Sequence, residues 1–265
     1  MAGSSMAGDG MKRNGRRLTG IAAAIGSIAA GWAAVLLLSA GTAPPAATGS
    51  IRGMVGVSGA ITVTAPPAAA TIDMSGDRYC GQANAGRQVL DRAVVADAQG
   101  RLANVVISIR NGAAAGAGGS ASDEPVVLDQ QNCEYTPRVV ALRVNQPIII
   151  RNSDATLHNV HVHARSNREF NIGQPLKGSE SRRTFSAAEV GIHVTCDIHG
   201  WMHGAIAVFD HPYHDVSSAD GSFSIDALPP GTYVVDAWHE TLGVQERSVT
   251  VEAGATAEVS FEFEG

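Results

Sequence analysis

Past residue 49, no stretch of this chain keeps its apolar residues at a helical period. Short alternating runs recur instead, closed by Gly, Pro, Asn or Asp: "LHNVHVHA" (157–164), "VGIHVTC" (190–196) and "TAEVSFEF" (256–263) are examples. Alternation puts one face of a strand on a core and the other towards water. Aromatics are sparse at 5%, so small and β-branched residues must fill that core. The expectation is an all-β chain. Two segments read less regularly. Residues 66–88 look like a long irregular stretch pinned by Cys80. Residues 89–112 read as two strands around an Ala-Gln-Gly turn.

The N-terminus stands apart. "KRNGRR" (12–17) is basic and is followed by the uncharged "LTGIAAAIGSIAAGWAAVLLLSAGTA" (18–43). That order marks a secretory signal or an uncleaved anchor. The apolar run from Ile21 to Ala40 is near the ~20 residues that cross a bilayer, so length does not decide between them. Basic residues ahead of such a span stay cytoplasmic. Everything after about residue 44 is therefore expected to be exported: periplasmic or extracytoplasmic, soluble or attached to the membrane through residues 18–40. A net charge of −6 gives no reason to expect a nucleic-acid partner.

Export changes the cysteine arithmetic. There are three: Cys80, Cys133 and Cys196. An oxidising compartment favours disulfides, and an odd cysteine needs a reason. Cys196 opens "CDIHGWMH" (196–203), a stretch dense in metal ligands. The economical assignment is a Cys80–Cys133 bridge with Cys196 left as a thiolate. Ile192, Val194 and Cys196 fall on one strand face, which carries the thiol inward and turns His193 and Thr195 outward.

A buried thiolate, two imidazoles and a weak axial thioether make a blue-copper ligand set. Cys196, His199 and Met202 supply three of the four at i, i+3 and i+6. The second imidazole must come from a neighbouring strand, where His158, His161 and His163 are available. Structural zinc prefers more thiolates and rarely uses Met. His203 with His211 and His214 offers a second, weaker metal site.

At these residues the chain resembles the cupredoxins, the plastocyanin and amicyanin group. "CDIHGWM" has the short Cys-x-x-His-x-x-Met ligand loop of amicyanin, and "GAIAVF" resembles the closing strand. "IIIRNSDATLHNVHV" (148–162) resembles the strand and loop before the first histidine ligand, with Leu157 where the family usually has Pro. The resemblance covers roughly residues 135–209. It implies one type 1 copper held by His158, Cys196, His199 and Met202. Asn159 would brace the loops around the site. His199 would present an imidazole edge at the surface, with Trp201 beside it, as the electron port.

The C-terminal segment resembles carboxypeptidase regulatory-like, transthyretin-like β-sandwich modules through "DGSFSIDALPPGTYVVDAW" (220–238) and "VTVEAGATAEVSF" (249–261). This implies a scaffold and lends no catalytic site. The expected organisation is a signal peptide or anchor helix plus linker over 1–49, a cupredoxin-like Greek-key β-sandwich with an N-terminal elaboration over 50–209, and a small β-sandwich module over 210–265. The expected function is an exported carrier of electrons between protein redox partners. The alternatives are copper handling and a metal-free β-sandwich binding module. No nucleophile–base pair is legible, so no enzyme is expected.

Overall fold

A computed structural model describes residues 49–57, 69–110 and 121–265. The signal or anchor segment expected at 18–40 lies outside the described residues. Among the described residues, no helix is long and apolar enough to cross a membrane. Among the described residues the chain is all-β, as expected, with sixteen strands and one helix of six residues.

Two sheets enclose the first core. One has the order β5 (Val139–Arg143), β11 (His203–Phe209), β10 (Glu189–Thr195), β7 (His158–His163), β8 (Phe170–Gln174). The other runs β4 (Glu134–Thr136), β3 (Val126–Gln131), β6 (Ile148–Asn152), β9 (Glu180–Arg183). Leu128, Ile148 and Ile150 of the second sheet meet Val160, Val162, Ile192, Val194, Ile206 and Val208 of the first in one buried cluster. The alternation through Ile192, Val194 and Cys196 points inward, and His193 is exposed. This sandwich is consistent with the cupredoxin-like expectation.

A second sandwich pairs β13 (Ser222–Leu228), β1 (Gly49–Val57) and β16 (Thr256–Phe263) in one sheet. The other sheet is β12 (His214–Val216), β2 (Val106–Arg110), β14 (Gly231–His239) and β15 (Gly243–Val251). The second sandwich therefore recruits β1 and β2 from before residue 111, and its sheets are not confined to 210–265. The two-strand reading of 89–112 is corrected. Among the described residues one strand, β2, forms there; ahead of it, isolated bridges join Leu90 to Thr71 and Ala96 to Leu102, the latter across the Ala-Gln-Gly turn. The irregular stretch around Cys80 carries the helix α1 (Arg78–Ala83).

Strand β11 is buried on both faces. Ile206 and Val208 face the first core, while Ala205, Ala207 and Phe209 cluster with Val106 and Val139 against Trp238 and Val216. Small side chains on that second face let the two sandwiches approach closely. Gly191 marks one close approach between the two sandwiches. Its φ is +79°, and a Cβ there would sit 2.9 Å from the Trp238 ring. Gly191→Ala is expected to destabilise the protein by ~1–3 kcal/mol through overpacking. Denaturant unfolding checks this, since an unchanged midpoint would mean the contact yields freely.

Candidate metal centre

The site sits where β7 begins and β10 ends. His158 is the first residue of β7 and is fully buried. Cys196 follows the last residue of β10, and the loop it opens returns to β11 at His203. Two backbone bonds close that loop: Cys196 N–H donates to the Met202 carbonyl at 3.2 Å, and Met202 N–H to the His199 carbonyl at 2.9 Å. A seven-residue turn so tied holds Cys196, His199 and Met202 close together, and all three are buried.

The ring nitrogens converge. His158 Nδ1 lies 2.9 Å from His199 Nδ1, and Cys196 Sγ lies 3.8 Å from the same His199 atom. One ligand atom from each of His158, Cys196 and His199 falls within 4.8 Å of the others. Met202 belongs to the same buried cluster as Cys196. Asn159 ties the two ligand segments together: its Oδ1 accepts from Cys196 Sγ at 3.3 Å and from the Asp197 N–H at 2.8 Å.

Both imidazoles are held from behind by carboxylates, which the sequence reading did not find. His158 Nε2 lies 3.0 Å from Asp154 Oδ2, and Asp154 also accepts from the Asn132 and Cys133 N–H groups. Those two residues turn the β3–β4 hairpin, each with φ near +60°, a conformation that favours Asn or Gly and strains Cys133. The Asp154 carboxylate steadies the turn and the histidine together. His199 Nε2 lies 3.4 Å from Asp77 Oδ2, and Asp77 caps α1 through the Cys80 N–H. Such partners fix a ring's tautomer and orientation and leave Nδ1 for a metal.

Charge follows from this packing. Burial pulls the His158 pKa down, but Asp154 and Cys196 outweigh it and raise it to about 9. Burial pushes the Cys196 thiol up, yet His158 and nearby backbone N–H groups bring it below its usual range. Burial and the charge of His158 hold His199 low. Without metal, the packing shifts both His158 and Cys196 towards their charged forms relative to free side chains. A metal ion entering the centre displaces protons.

Cys80 and Cys133 are joined, as expected from the odd cysteine count. The bridge lies against the site, with Cys80 Sγ 3.8 Å from His199 Nε2. Being bonded to each other, these sulfurs do not compete as thiolate ligands.

The electron port expected at His199 and Trp201 is corrected. His199 is 1% exposed, its Nε2 edge covered by Asp77 and Cys80. Trp201 donates its indole N–H to the Cys133 carbonyl at 3.1 Å and packs against the first core. The physical reason is the N-terminal elaboration: α1, pinned by the disulfide, lies where an open histidine edge was expected. The grouping of His203 with His211 and His214 does not form either. His203 opens β11 and stacks on His193, while His211 and His214 lie against Phe209 at its other end.

Residues 213–259 match the family model described as polysaccharide lyase family 4, domain II. No curated protein matches the chain by sequence. Among solved structures, a Cu-containing nitrite reductase from Thermus scotoductus SA-01 is 20% identical over 35% of this chain, with a TM-score of 0.31. That match spans only 24% of the nitrite reductase chain. A reduced amicyanin variant is 25% identical over 38% of this chain and 97% of its own, with a TM-score of 0.29. A purple cupredoxin from Nitrosopumilus maritimus is 21% identical over 32% of this chain and 97% of its own, at 0.27.

Proposed function

We propose that this chain holds one copper ion at His158, Cys196, His199 and Met202 and works outside the cytoplasm as an electron carrier rather than an enzyme. The observation that carries the reading is the buried convergence of two imidazole Nδ1 atoms and one thiol, with both far nitrogens braced by Asp154 and Asp77. A thiolate, two imidazoles and a thioether suit copper. Bound there, copper would exchange one electron between Cu(I) and Cu(II) without a change of ligands. The residues keep the geometry fixed: Asn159 locks the two ligand segments, and the disulfide and α1 exclude water from His199. The second sandwich serves as a scaffold of the carboxypeptidase regulatory-like kind, and export follows from the N-terminal basic and apolar runs.

With His199 covered, electrons need another contact surface. Ile198 and Leu157 are 47% and 44% exposed, and each precedes a ligand histidine in the chain. Apolar residues of this kind suit a small, transient redox contact. Electron self-exchange between two copies tests the reading without a partner. Wild-type protein is expected to cycle reversibly between its two copper states. Ile198→Lys should keep the visible spectrum and slow self-exchange ~10-fold, equivalent to ~1.4 kcal/mol of lost contact. A copper centre that cannot be cycled, or that is stripped by a mild chelator as fast as it is reduced, favours copper handling instead.

A further inference from the structure

We propose that His161, His163 and Glu169 form a second site, for a divalent transition-metal ion, on the outer face of the five-stranded sheet. The proposal goes beyond the buried centre and does not depend on it. His161 and His163 stand two apart on β7, so both rings project from the same face, with centroids 3.9 Å apart. Glu169, just ahead of β8, reaches them from the neighbouring strand. Its Oε1 lies 2.8 Å from His161 Nε2 and 3.9 Å from His163 Nδ1. One ligand atom from each residue falls within 4.8 Å of the others.

The other two ring nitrogens are already engaged. His161 Nδ1 faces Asp197 Oδ1 at 3.1 Å, and His163 Nε2 lies 2.9 Å from Thr195 Oγ1. Asp197 is itself held by the Asn171 side-chain amide, and Asn171 by Asn159. A simple exposed ion pair between Glu169 and one histidine would need none of this and would stabilise little. Two imidazoles, each tied at the back and each turning its other ring nitrogen towards one carboxylate oxygen, match the arrangement that orients metal-ligating histidines, and a metal ion would take the place of the proton that His161 Nε2 now donates to Glu169. Bonds of ~2.0–2.2 Å would separate neighbouring ligand atoms by about 3–3.5 Å. The observed 2.8 and 3.9 Å bracket that range, and the exposed Glu169 side chain has room to adjust.

The ligand chemistry names the class of ion. Imidazole and carboxylate without thiolate suit Cu(II) or Zn(II), and the half-exposed setting leaves positions for water or a further ligand. His193 stacks on His163 and His203 on His193, so a row of imidazoles continues across the sheet.

Cu(II) titration of the full chain, read by electron paramagnetic resonance, tests this. Wild-type protein should take up a second equivalent with a tetragonal, nitrogen-coordinated signal. The His161→Ala/His163→Ala double variant should keep its first equivalent and lose at least ~100-fold in affinity for the second, and Glu169→Gln should lose ~10-fold or more. In Cys196→Ser protein the tetragonal signal should persist and still depend on His161 and His163. This separates the surface site from any failure of the buried one. A second equivalent bound equally by the double variant, or no histidine-dependent signal in either background, would overturn the proposal.

Discussion

Replacing Cys196 with serine is expected to abolish the intense visible absorption of the copper-loaded protein. The band depends on a thiolate bonded to Cu(II), and Cys196 is the free cysteine of the chain. A serine hydroxyl cannot supply a soft, charge-donating ligand. The change should nevertheless spare the fold. The serine hydroxyl can donate to Asn159 Oδ1, which the thiol now faces at 3.3 Å, so a buried polar group keeps a partner. The stability cost should stay near ~1 kcal/mol. Absorption spectra with circular dichroism on the same samples separate the two effects. An intense band surviving in Cys196→Ser would remove the thiolate from the account.

The second large effect is expected at the disulfide. The Cys80–Cys133 bridge spans a sequence separation of 53 residues. On the chain-entropy model, opening such a loop costs ~4 kcal/mol. The Cys80→Ala/Cys133→Ala variant should show that loss in denaturant unfolding. A functional consequence should follow, because the bridge pins α1, and α1 holds Asp77 against His199. The variant should release copper to a chelator faster than wild type. Asp154 still holds the hairpin turn through the Asn132 and Cys133 N–H groups, so the first sandwich should remain folded. Stability within ~1 kcal/mol of wild type, with unchanged copper release, would mean that α1 holds its place without the bridge.

The parts legible in the sequence were local ones. Alternation through Ile192, Val194 and Cys196 set the inward face, and the spacing of Cys196, His199 and Met202 put three candidate ligands on a single loop. The pairing of Cys80 with Cys133 followed from counting. The parts that were not legible depend on contacts between distant segments. Asp77 reaches His199 across 122 positions of the chain. Nothing in "MSGDRYC" signals that its carboxylate will cap a helix over an imidazole. Glu169 and Asp197 converge on His161 only through the registry of β7, β8 and β10. The recruitment of β1 and β2 into the second sandwich was hidden for the same reason. An alternating strand declares its buried face but not its neighbour. The doubly apolar run "GAIAVF" did carry a signal: a strand with no polar face must be covered on both sides, and β11 is.

Copper is expected to bind at the buried Cys196 thiolate between the His158 and His199 imidazoles. Electron paramagnetic resonance on the full chain with one equivalent of Cu(II) tests it most directly. A narrow copper hyperfine splitting, from spin shared with the Cys196 sulfur, is the predicted result. A broad tetragonal splitting at one equivalent, unchanged in Cys196→Ser, would contradict it.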